Sequence, residues 1–158
     1  MSFQHPIIGA LTIVRGWTSV DVQVRGQEFR FINTHLETDD FPLAQMAQAA
    51  ALLAGPANTS MPVVIVGDLN SGPGGFTGTY DVVIGAGFSD AWPGGIAPTC
   101  GQASNLMNAA SLLASRIDLV LFKGTFARGF GFNSGEIARV GEDVGDKVGG
   151  LWPRITRG

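Results

Sequence analysis

Cysteine is nearly absent: Cys100 is the only one in 158 residues, so a disulfide scaffold is excluded. Charge is scarce too, at 15% of residues, against roughly a quarter in average soluble proteins. With 45% hydrophobic residues and a net charge of −3, the composition is not that of intrinsic disorder, which needs low hydrophobicity and high net charge. The 23 glycines follow no strict period, which excludes a collagen-like helix. No apolar run approaches the roughly 18 residues that a membrane-spanning helix needs. Residues 1–10 carry no basic flank ahead of a long apolar stretch, so no signal peptide is visible. Lysine is limited to Lys123 and Lys147, the other eight basic residues being Arg. Ten basic against thirteen acidic residues leave no electrostatic footprint for nucleic acid.

What is present suggests an α/β chain. Val20, Val22 and Val24 alternate with polar residues, the period of a half-buried strand, and Arg25-Gly26-Gln27 makes a polar turn into Phe29, Phe31 and Ile32. That hairpin delivers His35 and Glu37 to one end of a sheet. Residues 42–54 predict a helix, with Asp39 or Asp40 as cap, Pro42 in the first turn and Gly55-Pro56 as the stop. Leu43, Met46, Ala47, Ala50, Leu53 and Ala54 share one face at helical spacing and read as its core stripe. Val63-Val64-Ile65-Val66, without alternation, predicts a strand covered on both faces, ending in the loop-like 67–75. Residues 79–84 fit helix or strand, 93–115 read mostly as loop, and 117–122 predict another strand. A glycine-rich tail follows, with a strand at 137–140. No repeat or linker divides the chain.

Three polar clusters end predicted strands: Asn33-Thr34-His35-Leu36-Glu37, Gly67-Asp68-Leu69-Asn70 and Arg116-Ile117-Asp118. Carboxylates beside hydrophobic strands are costly unless a metal, a base or a backbone donor satisfies them. Each cluster also has a structural reading. His35 can be a hydrogen-bonded histidine, Asp68 and Asn70 can close a turn, and Asp118 can pair with Arg116. A phosphate-cradling P-loop is excluded at 67–75, where no Gly-Lys-Ser/Thr ending occurs.

In combination, Phe31-Ile32-Asn33-Thr34-His35-Leu36-Glu37, Val64-Ile65-Val66-Gly67-Asp68-Leu69-Asn70-Ser71 and Arg116-Ile117-Asp118-Leu119-Val120-Leu121 resemble the endonuclease/exonuclease/phosphatase superfamily, the DNase I-like fold. Gly87-Phe88-Ser89-Asp90-Ala91-Trp92 and Thr99-Cys100-Gly101-Gln102 resemble one bacterial branch of it. The resemblance implies part of a four-layer α/β sandwich, here mainly one mixed or antiparallel sheet with flanking helices. It also implies a metal-dependent phosphoesterase that attacks phosphodiester or phosphomonoester bonds in line with water. Acidic metal ligands lower the net charge of such enzymes, so −3 stands only weakly against a nucleic-acid substrate. By this resemblance Asp68 positions or deprotonates the attacking water, and Asn70 binds a phosphate oxygen. His35 donates to the phosphate or leaving oxygen, and Asp118 orients a second histidine. Mg2+ is the implied cofactor, with Mn2+ or Ca2+ as substitutes. Asp68 and Asn70 are its candidate contacts. The substrate is a phosphate ester whose class the motifs leave open.

Two elements of the family pattern are not matched. The family's first half carries an Asn and a metal-binding Glu on earlier strands; here Glu28 falls in a turn and Glu37 within its own motif. Residues 1–158 are therefore expected to form a single incomplete domain, without the N-terminal half and the last strand, holding metal weakly and impaired in turnover. A missing N-terminal half-domain becomes an expected partner. Two other readings stand beside this one: a non-catalytic fragment or pseudoenzyme that binds phosphate or a partner weakly, and an unrelated α/β binding protein. In the related branch Gly-Leu-Trp-Pro continues into Ser-Asp-His-Ala-Gly, whereas Gly150-Leu151-Trp152-Pro153 continues into Arg154-Ile155-Thr156-Arg157-Gly158. Codons CCT-CGG-ATC-ACG-CGG-GG, with one base restored after the second C, spell Ser-Asp-His-Ala-Gly. A one-base deletion is thus expected in the coding DNA across Pro153. Resequencing that stretch checks it, and a gene in which no single-base shift yields Asp-His overturns it.

Overall fold

The computed structural model describes residues 2–5, 9–12, 14–92, 94, 97–126 and 140–153. The strand expected at 137–140 and the replacement at 154–158 lie outside the described residues, Val140 apart. The architecture is α/β, and its centre is a five-stranded mixed sheet. In chain order the strands are β1 (Ser2–His5), β2 (Gly9–Thr12), β3 (Trp17–Val24), β4 (Gln27–His35), β5 (Val63–Asp68), β6 (Ser89–Asp90) and β7 (Asp118–Lys123). Helix α1 (Pro42–Ala54) links β4 to β5, and α2 (Thr79–Gly85) follows β5. β1 and β2 form a separate antiparallel pair, and the main sheet runs β3-β4-β5-β7-β6.

The hairpin β3–β4 forms as the alternation predicts, with Val24 opposite Gln27. Its turn residues Arg25 and Gly26 both have positive φ, 51° and 78°, the backbone of a tight two-residue hairpin turn. Glu28, expected in a turn, is instead the second residue of β4, because the turn needs only two residues. The pairing of β4 with β5 is parallel, while β5–β7 and β6–β7 are antiparallel. α1 is the crossover that a parallel pair requires.

Residues 79–84 resolve as helix, where Val83 joins the core. The core lies between the helices and one face of the sheet: Ala49 and Leu52 of α1 and Val83 of α2 cluster with Ile32, Val63, Ile65, Leu119 and Leu121. The expected core stripe of α1 is corrected here, apart from Leu53, which packs partly buried against the core. Leu43 is 73% exposed and Met46 39%, whereas Ala44, Gln45, Ala49 and Leu52 are buried. Small Ala44 and Ala49 let the helix approach closely, and the Gln45 side chain finds hydrogen-bond partners inside. Neither Asp39 nor Asp40 caps α1; the N-cap is Phe41, with no side-chain cap bond. Pro42 and Gly55 take the start and stop positions expected of them.

The other face of the sheet carries Val20, Phe31, Val64 and Phe122 in one row across four strands. Phe126 lies over part of this face, with its ring 6.0 Å from Phe29 and 6.4 Å from Phe122. Val20, Phe31 and Val120 remain more than a third exposed. Beyond the sheet, residues 140–153 dock on the 100–113 loop. There the Trp152 indole N–H and the Lys147 ammonium both donate to the Asn108 carbonyl, each at 2.7 Å.

Two glycines make the sheet's end possible. Gly67 has φ +134°, and a Cβ there would overlap the Thr34 carbonyl oxygen of the neighbouring strand; a Cβ at Gly72 would overlap the Arg116 carbonyl oxygen. In both cases the obstacle is backbone and has no room to give. Gly67→Ala is expected to destabilise the fold by at least ~3 kcal/mol, the combined cost of strain and overlap, measured as a lowered midpoint in urea unfolding. An unchanged midpoint would show that the strands separate freely at this point.

Candidate active site

Strand register builds the site. His35 pairs with Asp68 across the parallel β4–β5 ladder, and Asp68 pairs with Asp118 across the antiparallel β5–β7 ladder. The three residues therefore occupy one row at the end of the sheet, in the alternation of the Phe31 row rather than that of the helix-covered Ile32 row. The three polar clusters, far apart in sequence, meet because β4, β5 and β7 are neighbours.

Asn70 enters the row from the loop after β5. Its φ is +48°, in the left-handed region that Asn tolerates better than most residues. Its backbone N–H donates to Asp68 Oδ1 at 2.7 Å, the turn-closing bond expected of an Asp two residues before. Its side-chain Nδ2 donates to the Leu36 carbonyl at 2.9 Å and lies 3.3 Å from His35 Nε2. Thus the local turn reading and the site reading both hold for these residues: Asp68 closes the turn that presents Asn70 to His35.

Asp68 is the electrostatic focus. Burial pushes its carboxyl pKa up to about 6, the Asn70 N–H pulls against this, and the neighbouring Asp118 raises it further. His35 Nε2 stands 3.6 Å from Asp68 Oδ2. The Oδ2 atoms of both Asp68 and Asp118 are buried without a hydrogen-bond partner. Asp118 itself is placed by Thr99, whose hydroxyl oxygen accepts from the Ile117 and Asp118 backbone N–H groups, each at 3.2 Å.

The nearby arginines are committed elsewhere. Arg116 pairs not with Asp118 but with Asp90, through contacts of 3.0 and 2.6 Å. Burial pushes Asp90 upward, but the bonds from Arg116, the Trp92 N–H and the Tyr80 hydroxyl hold its carboxyl below the usual range. Arg15 makes a two-point pair with Glu37 at 3.2 and 3.1 Å, and this pair holds Glu37 below its usual range. Sequence reasoning missed Asp90 and Arg15 as partners because 26 and 22 residues separate each pair.

The two unpartnered carboxylate oxygens, Asp68 Oδ2 and Asp118 Oδ2, are the kind of hard oxygen donor a divalent cation satisfies. Among the described residues no group of three or more His, Cys, Asp or Glu is arranged to hold an ion. Asn70, the other expected contact, directs its amide nitrogen at the Leu36 carbonyl and His35 Nε2.

A raised carboxyl pKa carries a stability consequence. Between its ordinary value near 4 and about 6 the folded state holds the Asp68 proton more tightly than the unfolded chain. Stability therefore falls as pH rises through this window and stays lower above it. Two units correspond to about 3 kcal/mol as an order of magnitude. Asp68→Asn retains the Oδ1 acceptor for Asn70 and removes the charge. Its melting temperature is expected to exceed wild type by several degrees at pH 8 and to match it at pH 4, as followed by circular dichroism. A variant equally or less stable at pH 8 would contradict a burdened Asp68.

No protein-family model and no curated protein matches the sequence. Solved structures do match in fold. An endonuclease/exonuclease/phosphatase protein from Beutenbergia cavernae DSM 12333 aligns with 69% of this chain and 32% of its own, with TM-score 0.53 and 22% identity. Humanized D. rerio TDP2 carrying 14 mutations covers 72% of this chain and 46% of its own, with TM-score 0.51 and 19% identity. A functionally unknown conserved protein from Enterococcus faecalis V583 covers 68% and 43%, with TM-score 0.51 and 20% identity. The chain thus spans between about a third and just under half of the length of these structures. Among the described residues no helix is long and apolar enough to cross a membrane. The mixed sheet and its helices share the fold of endonuclease/exonuclease/phosphatase proteins.

Proposed function

We propose that the row of His35, Asp68 and Asp118, with Asn70 beside it, is a phosphoesterase site. The observation that carries this reading is the register that sets a carboxyl with a pKa of about 6 within 3.6 Å of an imidazole. A group with that pKa is ionised at neutral pH yet still able to take up a proton, as a general base needs. Ionised Asp68 takes a proton from water as its oxygen bonds to phosphorus. The bond from phosphorus to the leaving oxygen breaks, and that oxygen takes a proton from the His35 imidazolium. The proton on Asp68 then returns to His35 across the short gap between them.

Asn70 has a conditional part. Where His35 Nε2 carries no proton it accepts one amide hydrogen of Asn70, while the other goes to the Leu36 carbonyl. Once Nε2 is protonated it no longer accepts, and an Asn70 N–H becomes available to a phosphate oxygen. The proton on Nε2 thus decides whether Asn70 donates to His35 or outward.

Impaired turnover is part of the proposal. An anionic phosphate beside Asp68 and Asp118 needs positive charge, and Arg15 and Arg116 are each held by a carboxylate of their own. The same observation favours a second reading, a site that binds phosphate weakly without turning it over. Completion by a further half-domain would relieve the imbalance; the chain's share of the matched structures and the exposed Val20, Phe31 and Val120 support that expectation.

Hydrolysis of bis(p-nitrophenyl) phosphate, with and without Mg2+ and with an added N-terminal half, tests the proposal. The rate is expected to rise with pH through about 6, where Asp68 ionises. Asp68→Ala is expected to lower it by at least ~100-fold, the usual contribution of a positioned base. Equal rates for wild type and Asp68→Ala would leave only the non-catalytic reading.

A further inference from the structure

Gln45 is completely buried on α1, a position where the sequence pattern places no core residue. Its carboxamide reaches three separate segments. Nε2 donates to the Glu37 carbonyl at 2.7 Å and to the Asn70 carbonyl at 3.0 Å, and Oε1 accepts from the Thr79 hydroxyl at 2.6 Å. Those segments are the continuation of β4 beyond His35, the turn that follows Asp68, and the first residue of α2. Thr79 is itself fully buried. Both amide hydrogens are therefore used, and they satisfy two backbone carbonyls that would otherwise be buried without partners.

The consequence reaches the site through Asn70. At φ +48° Asn70 sits in a left-handed conformation that Asn tolerates and that its surroundings hold in place. Here the Asp68 carboxylate holds the N–H of Asn70, Gln45 holds its C=O, and the Leu36 carbonyl holds its side chain. The Gln45 bond to Glu37 anchors the same strand end from which His35 and Leu36 project. One carboxamide thus fixes the two chain segments that carry Asn70 and His35 relative to each other. An apolar residue would fill the space and leave their spacing unset. We propose that Gln45 is a positioning residue for the site, setting the contact between Asn70 and His35 through backbone carbonyls and touching no substrate itself.

The proposal rests on the phosphoesterase reading only in its activity arm. Gln45→Met keeps the volume and removes both donors, and Thr79→Val leaves Gln45 its donors but withdraws the hydroxyl that orients them. Folded protein is measured in two ways. In 15N NMR, Gln45→Met is expected to shift the Asn70 side-chain amide and the His35 ring nitrogens while core strand signals such as Ile65 and Leu121 stay in place. Thr79→Val is expected to move the same signals less, and it decides the matter if Gln45→Met does not fold. In the bis(p-nitrophenyl) phosphate assay, kcat per folded molecule is expected to fall by about 10- to 100-fold, the effect of displacing a reacting group by about 1 Å, with KM little changed. Asn70 and His35 signals that superimpose on wild type in a folded variant overturn the proposal. Wild type without hydrolysis defeats the phosphoesterase reading instead, and the NMR comparison still decides the role of Gln45.

Discussion

The parallel pairing of β4 with β5 is the constraint on which the rest depends. A parallel neighbour cannot be reached by a tight turn, so α1 must cross over, and its buried face then becomes one wall of the core. The same pairing places His35 opposite Asp68, and β7 extends the row to Asp118 from the other side. Gly67 lets this row form, because any side chain there would strike the Thr34 carbonyl. A slip of one residue would send Asp68 to the helix-covered face, where a carboxylate would have to share space with Ile32 and Ile65.

Polar chemistry at the end of the sheet is held by backbone groups more than by charge pairs. Asp68 accepts from the Asn70 N–H, Thr99 accepts from the successive N–H groups of Ile117 and Asp118, and Gln45 donates to the carbonyls of Glu37 and Asn70. Bonds of this kind position side chains without neutralising them. The Asp68 carboxylate is therefore left buried beside Asp118, and burial first, with that neighbouring charge second, makes it bind its proton more tightly. The nearby arginines brace other segments instead: Arg15 ties the entry to β3 to the motif after β4, and Arg116 ties the entry to β7 to β6.

Local signals in the sequence were legible where local physics decides. The hairpin turn at Arg25-Gly26, the start of α1 at Pro42, its stop at Gly55 and the run from Val63 all form as expected. The buried face of α1 was not legible, because the stripe containing Leu43 and Met46 is the more hydrophobic choice on the helix alone. Gln45 turns inward because the fold brings Glu37, Asn70 and Thr79 to it as partners. Arg116 was paired by proximity with Asp118, whereas the fold offers it Asp90 together with Tyr80. The site residues could be named through the resemblance of their motifs; their shared row, and the charge it concentrates, required the register.

Alternation along the strands links the site to the open side of the sheet. His35 follows Phe31 and Asn33 at intervals of two, and Asp118 precedes Val120 and Phe122 in the same way, so site and apolar rows share one face. Phe126 covers Phe29 and Phe122, while Val20, Phe31 and Val120 stay accessible. Whatever packs on those three residues lies within a strand's length of Asp68. Such packing would dry the surroundings of the carboxyl, strengthen every charge interaction there and raise its proton affinity further unless it also brought a cation. Covering the apolar face and balancing the charge of the site are therefore one physical problem, because two turns of strand pleat separate the Phe31 row from the His35 row.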